Sequence, residues 1–271
     1  MDATQRFNLK NKTAIVTGAS QGIGRSIAIA LAQHGADVGI IDITSQKKAQ
    51  PVLDKITAQG RRAWFFQQDL ALTHGLTTAG DDIWNETGQV DILVNNAGVA
   101  YMEHFNQISI EHWRHIMSVN VDAVFFLSQA IAGHMIKHKI AGRIINTSSV
   151  NGLVAEAGLA HYNASKGAVE MITKSLAVEL GTYGITANTI CPGMIETEIG
   201  DEFPLAEGFQ DHFSQHIPLQ HRLGTAEDCA GAVVFLASPA GKYITGQHII
   251  IDGGIICEQV PRLDYMPPTT P

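Results

Sequence analysis

Apolar residues along this chain fall into two alternating patterns. Short, mostly apolar runs occur at 13–16 (TAIV), 37–41 (DVGII), 63–67 (AWFFQ), 92–94 (ILV), 143–147 (RIINT), 185–190 (ITANTI) and 248–251 (HIII). Their length and flanking turn residues predict strands. Between them, residues 25–34, 45–59, 73–87, 109–138, 161–181 and 226–238 carry longer stretches of helical pattern. Ser109 and the Thr225/Asp228 pair stand where helix caps belong, and Gly35 stands where the first helix ends. Pro51 should kink the second helix or mark a late start to it. Asn120, inside SVNVDAVFF, is unfavourable in a helix and predicts a polar site or a local bulge. Residues 194–220 lack periodicity and contain Pro204 and Pro218, which predicts a lid or binding segment. The tail, residues 255–271, ends in RLDYMPPTTP and is too Pro-rich for regular structure. No repeat or composition break divides the chain, so residues 1–271 are expected to form a single domain.

Composition narrows the class. The 271 residues are 45% hydrophobic and 16% charged, enough for one α/β domain with ample core. A net charge of −8 disfavours general nucleic-acid binding. No apolar run approaches the roughly 20 residues that span a bilayer. The opening MDATQRFNLKNK holds no apolar leader segment. Cys191, Cys229 and Cys257 are odd in number and lack metal-like spacing. They read as free thiols in a reducing, cytoplasmic compartment.

The candidate chemistry begins at the first run, which leads into TGASQGIG with Gly18, Gly22 and Gly24. Strand, glycine turn, helix and strand make a βαβ unit. Such glycines let the backbone approach a pyrophosphate at a helix N-terminus. The spacing is G-x-x-x-G-x-G, not the commoner G-x-G-x-x-G. Asp42, ending the second strand, is placed to accept hydrogen bonds from ribose hydroxyls and to repel a 2′-phosphate. No basic residue follows it until Lys47, which favours NAD over NADP. Asp69, near the end of the third strand, suits a place beside an adenine ring or at a helix cap. NNAG at 95–98 suits a turn packed against a flat cofactor.

A second constellation runs from Ser149 through Tyr162, thirteen residues on, to Lys166, four further. On a helix, Tyr162 and Lys166 share one face. An ammonium beside a phenol is expected to lower its pKa from about 10. Such a phenol can exchange a proton with a substrate oxygen, and Ser149 can hydrogen-bond the same oxygen.

Taken together, TGASQGIG, NNAG, Asn120, Ser149, YNASK at 162–166, CPG at 191–193 and ITGQHIIIDGG at 244–254 resemble the short-chain dehydrogenase/reductase family. The resemblance covers nearly the whole chain except 194–220 and the tail. It implies a doubly wound α/β Rossmann fold, a seven-stranded parallel sheet with helices on both faces. It implies Tyr162 as general acid/base, Lys166 tuning it and binding the nicotinamide ribose, and Ser149 positioning the substrate oxygen. Asn120 would hold a water that links Lys166 to solvent. Carried across residue by residue, the cofactor site comprises Gly18, Ser20, Gln21, Gly22, Ile23, Gly24, Asp42, Asp69, Leu70, Asn96, Ala97 and Gly98. It continues with Tyr162, Lys166, Pro192, Gly193, Ile195 and Thr197. Members often form tetramers through two long helices, here near 110–138 and 162–181, so a homotetramer is expected.

Substrate specificity should reside outside the shared motifs, where polar residues are frequent. Asn151, Glu156 and Glu196 join Ser149 and Tyr162 as candidate substrate contacts, with Thr197, Glu198, Tyr101, Met102 and Glu103 near them. His161 is a further candidate for the pocket wall. Unpaired polar groups disfavour an apolar ligand and favour a sugar or sugar acid, oxidised to a ketone or lactone. Arg262 on the tail suits a substrate carboxylate. Two alternatives remain, a 3-oxoacyl-thioester reductase of the same family and a non-catalytic NAD-binding subunit. The pairs His134/His138 and His212/His216 have helical spacing but match no metal motif, so no metal is expected. The aromatics of WFF and AVFF read as core residues.

Overall fold

Hydrogen bonding joins the predicted apolar runs edge to edge. The computed structural model describes residues 3–197 and 208–257. Among them, seven strands form one sheet: β1 (Thr13–Thr17), β2 (Asp37–Asp42), β3 (Ala63–Gln67), β4 (Ile92–Asn95), β5 (Arg143–Thr147), β6 (Thr186–Pro192) and, after two short strands, β9 (His248–Ile251). The order is β3-β2-β1-β4-β5-β6-β9, and every neighbouring pair is parallel. The short strands β7 (Ile195–Glu196) and β8 (Gly224–Thr225) pair with each other.

Side-chain alternation divides the core between the two faces of the sheet. Ala14, Val16, Val38, Ile40, Ile92 and Val94 pack with helices α1 (Gly22–Gln33), α2 (Gln46–Thr57) and α8 (Ala226–Ala237). Ile15, Ile41, Leu93 and Ile144 pack on the opposite side with α3 (Leu76–Thr87), α5 (Ala123–Lys137) and α6 (Ala160–Leu180). The remaining α-helices among the described residues are α4 (Ile110–Met117) and α7 (Phe209–Gln215). The chain leaves β1 toward one edge of the sheet and returns through β4 toward the other. A crevice opens between them at the carboxyl ends of the strands.

Several sequence expectations change in detail. Pro51 neither delays nor ends α2, which starts at Gln46 and encloses the proline. The run expected as one helix from Ser109 divides at a π-helical turn, Ser118–Asp122, so the bulge predicted at Asn120 is present. Ser109 caps α4 by accepting from His112 N at 3.0 Å. Thr225 and Asp228 form a reciprocal capping box on α8. The helical run Ile110–Lys137 has 28 residues and a mean hydropathy of 1.4 in its most apolar window, enough by length and composition to cross a bilayer. It packs on α3, α6 and β4 instead, and the sequence reading overlooked it because Asn120 and its polar neighbours interrupt the apolar run. Phe125 and Phe126, expected in the core, are partly exposed on α5. Segment 194–220 holds β7 and α7, which its prolines obscured. Glu198, Arg262 and the segment 198–207 lie outside the described residues.

Candidate functional site

The crevice widens into a cleft of about 570 Å3. Its first half is built by backbone. Gly18 has φ +62°, and a Cβ there would approach Ala97 Cα to 2.8 Å, so the turn after β1 requires glycine. A Cβ on Gly24 would collide with Gly18 O and lie 2.5 Å from Asn96 Nδ2. The α1 N-terminus therefore sits hard against the turns after β1 and β4. Asn96 closes this packing by donating from Nδ2 to Thr17 O at 3.1 Å and Gly18 O at 3.2 Å. Gln21, at the N-cap of α1, makes no side-chain capping bond, and Gln21 and Ile23 line the cleft. Backbone N–H groups and the helix dipole make such an end an anion site. The residues fit a dinucleotide pyrophosphate on these grounds.

Asp42 stands further along the same wall, buried, with Oδ2 accepting from Ser20 N at 3.0 Å and Oδ1 from Thr44 N at 3.1 Å. An ionised carboxylate has about four acceptor positions, so two backbone donors leave capacity for ribose hydroxyls. Asp69, Leu70, Ala97, Gly98, Pro192, Gly193, Ile195 and Thr197, among the residues the resemblance assigns to the cofactor, also line the cleft. Ser20, Gly22 and Gly24 do not. Ser20 instead ties the glycine loop to Asp42 and, through its hydroxyl, to Thr44 at 3.1 Å.

The second half carries the titratable groups. Ser149 stands two residues beyond β5, while Tyr162 and Lys166 come from the first turns of α6, and all three line the cleft. Ser149 Oγ accepts from Asn151 N at 3.1 Å, which fixes the hydroxyl at the start of a short 3-10 turn. Lys166 Nζ donates to Thr147 O at 2.9 Å and stands 5.5 Å from the centre of the Tyr162 ring. Asn120 lies behind the wall, fully buried. Its Oδ1 accepts from Val99 N at 2.8 Å, and its Nδ2 donates to Val99 O at 2.9 Å and Ser165 Oγ at 3.0 Å.

The electrostatics differ from expectation. Burial pushes the Tyr162 phenol up to about 12, against the pull of the Ser149 hydroxyl, and the Glu156 carboxylate adds to the rise. Burial also lowers Lys166 to about 8, opposed by Cys191 and Glu170. The Cys191 thiol is itself pushed up to about 12 by burial, so at neutral pH the carboxylate of Glu170 is the operative partner. The expected lowering of the phenol is thus reversed: desolvation of a buried phenolate outweighs an ammonium held away on Thr147.

Among the substrate candidates, Asn151, Glu156 and Met102 line the cleft near Tyr162. Asn151 Nδ2 donates to both Glu156 Oε2 and Asn163 Oδ1 at 3.1 Å, so these groups are partly paired already. Glu196 is exposed and lies outside the cleft, because alternation along β7 leaves Ile195 facing in. Tyr101, Glu103 and His161 also stand behind the wall. Glu103 Oε2 and His161 Nε2 are 3.2 Å apart, and Glu103 Oε1 and His112 Nδ1 are 2.9 Å apart. The sequence reading missed His115, Leu159, Phe209 and Phe213 as cleft residues. Phe209 and Phe213 were findable as an i, i+4 aromatic pair, while His115 shares its helical face with Val119 only when the fold is known. His134 and His138 stack on Trp84 at 4.8 and 4.6 Å.

Comparison with known proteins agrees with this architecture. Residues 18–256 match the family model described as Enoyl-(Acyl carrier protein) reductase. The chain is 36% identical over 249 residues to gluconate 5-dehydrogenase of Gluconobacter oxydans, covering 92% of this chain and 96% of that one. It is 37% identical to 3-oxoacyl-(acyl-carrier-protein) reductase FabG of Staphylococcus epidermidis, covering 90% and 99%. The crystal structure of a gluconate 5-dehydrogenase from Burkholderia cenocepacia, in complex with NADP and tartrate, superposes with a TM-score of 0.89 at 35% identity, covering 95% and 100%. With its parallel sheet, glycine turn and Ser149, Tyr162 and Lys166 in one cleft, the chain belongs to the short-chain dehydrogenase/reductase family, oxidoreductases that use a nicotinamide cofactor.

Proposed function

We propose that the chain is a single-domain NAD-dependent dehydrogenase that reversibly oxidises a secondary hydroxyl of a sugar or sugar acid to a ketone or lactone. The observation that carries this reading is the convergence of Ser149, Tyr162 and Lys166 on one cleft beside the glycine turn. Nicotinamide dinucleotide, when bound, supplies the hydride acceptor. Tyr162 takes the hydroxyl proton during oxidation and returns it during reduction. Ser149 Oγ hydrogen-bonds the reacting oxygen and keeps it in reach of the phenol. Lys166 binds the nicotinamide ribose and offsets charge developing on Tyr162. Asn120 holds the backbone around Val99 and the helix around Ser165 in register with these groups. The glycine turn and the α1 N-terminus hold the pyrophosphate, with Asp42 on the adenosine ribose.

Asp42 supports NAD, since the described cleft wall presents no Lys or Arg beside it to neutralise a 2′-phosphate. Relatives named for gluconate and L-rhamnose oxidation, and the polar pair Asn151 and Glu156, support the substrate class. The apolar wall of Met102, Leu159, Phe209 and Phe213 favours a second reading, reduction of a short 3-oxoacyl thioester, as the FabG relatives are named for. Exposed Phe125 and Phe126 on α5, with Met171 and Val178 on α6, support assembly into a homotetramer through these helices. The three free cysteines support a reducing, cytoplasmic location.

The test is a turnover panel with NAD(H) and NADP(H). It uses aldoses, aldonic acids, polyols, simple secondary alcohols and an acetoacetyl thioester, each assayed with wild type and Tyr162→Phe. The expected result is highest kcat/KM for a sugar-type substrate with NAD. Tyr162→Phe should lose about two to four decades of rate, the usual worth of a positioned acid/base. Thioester preference would install the second reading, and a Tyr162→Phe variant within tenfold of wild type would remove the mechanism.

A further inference from the structure

His115 lines the cleft from α4, one helical turn before Val119, which lines it too. Its Nδ1 is 2.6 Å from Tyr101 Oη. A phenol is the better donor of the two and an imidazole nitrogen the better acceptor, so Tyr101 donates to Nδ1 and the ring proton resides on Nε2. Nε2 has no hydrogen-bond partner among the described residues, whereas Asn151 and Glu156 are already paired with each other.

The ring is held rather than merely present. Tyr101 stacks on His112 at 4.2 Å with an interplanar angle of 15°. His112 Nδ1 and Glu103 Oε1 are 2.9 Å apart, and Glu103 N donates to Gly158 O at 2.9 Å. Glu103 Oε2 meets the fully buried His161, the residue before Tyr162. One chain of hydrogen bonds and a ring stack thus fixes His115 relative to the helix that carries the phenol. A donor held by such supports is set to one direction, and rigid support is what gives a contact specificity.

We propose that His115 is a substrate-contacting specificity residue, donating from Nε2 to an oxygen of the substrate remote from the reacting carbon, with Tyr101 as its positioning residue. This rests on the dehydrogenase reading above and adds to it the requirement that the substrate carry a second oxygen acceptor. A hydroxyl and a carboxylate both meet that requirement, and the substrates below separate them.

The experiment compares wild type with His115→Leu, His115→Gln and Tyr101→Phe on gluconate, sorbitol and 2-butanol for oxidation, and on an acetoacetyl thioester and acetone for reduction. The expected result is a fall of roughly tenfold or more in the ratio of kcat/KM for the oxygen-rich substrate over its simple partner in His115→Leu, carried by KM. His115→Gln, which keeps a side-chain donor, should recover part of the ratio, and Tyr101→Phe should lose part of it. A larger effect on gluconate than on sorbitol identifies a carboxylate, and the reverse a hydroxyl. A loss shared equally by both partners, or no loss, overturns the proposal, and circular dichroism separates the former from misfolding. If wild type acts only on the reductive pair, the sugar reading falls while the thioester-to-acetone ratio still tests His115. A wild type inert toward all five compounds overturns both.

Discussion

Asn120 Nδ2 donates to Ser165 Oγ across 3.0 Å, joining the π-helical turn before α5 to the helix that carries Tyr162 and Lys166. The same amide holds both backbone groups of Val99. Asn120→Ala removes a fully buried amide and leaves the half-buried Val99 backbone groups without that partner, at about 1–3 kcal/mol. Thermal melting should fall accordingly. Turnover should fall by more than the melting shift explains, because the loop after β4 and the start of α6 lose their common anchor. A variant with wild-type kcat and only a lowered melting point would reduce Asn120 to a packing role.

What the sequence made legible follows from local chemistry. The central strands were readable because they are short, mostly apolar runs buried on both faces, as at Ala14, Ile15 and Val16, while the edge strands β3 and β9 are only partly buried. The glycine turn was readable because Gly18 and Gly24 meet backbone at distances no side chain tolerates. The Ser149, Tyr162 and Lys166 set was readable from spacing and resemblance. The direction of the Tyr162 shift was not, because it depends on burial and on where Lys166 points, and both are tertiary. Tyr101 and Glu103 read as pocket residues by position, yet they form the layer behind it, since only the fold decides which side of a loop faces a cleft. His115 lies outside the motifs that marked the site, and no local pattern singled it out.

Asp42 bears on the choice of cofactor. It accepts two backbone N–H groups and keeps acceptor capacity toward the cleft. A 2′-phosphate there would face an uncompensated buried carboxylate, a contact that costs several kcal/mol. Wild type should therefore prefer NAD. Asp42→Ala should weaken NAD and raise the NADP-to-NAD ratio of kcat/KM by about tenfold or more, read from initial rates with both cofactors. An unchanged ratio would show that discrimination lies elsewhere, and a wild type favouring NADP would reverse the reading of Asp42.

The Tyr162 shift predicts how each direction of reaction depends on pH. With the phenol pushed up to about 12, it stays protonated at neutral pH. That is the form needed to donate a proton during reduction, and oxidation needs the phenolate. Oxidative kcat/KM should climb with pH from 7 toward 10, while reductive kcat/KM should stay level or fall over the same span. A flat oxidative profile would mean that the phenol pKa in the working enzyme lies well below about 12.

Lys166 gives the clearest stability signature. Burial lowers its pKa from 10.5 to about 8. The folded state thus loses this proton at about pH 8, while the unfolded chain keeps it until about 10.5. Between these values the unfolded state binds more protons, so this group's contribution to stability rises with pH. Below about 8 the folded protein carries the full cost of a buried ammonium, only partly offset by its bond to Thr147 O and by Glu170. Lys166→Met removes the charge and keeps most of the volume. The melting-temperature difference, variant minus wild type, should be most favourable to the variant below pH 8 and should shrink from pH 8 to 10. The Tyr162 phenol, half ionised at pH 10 in the unfolded chain, is common to both proteins, so the difference isolates the lysine. The variant should also lose both turnover and cofactor affinity, because the amine serves both. A difference that stays constant across pH 6–10, measured by scanning calorimetry, would place the lysine pKa at its ordinary value and remove the buried-ammonium account.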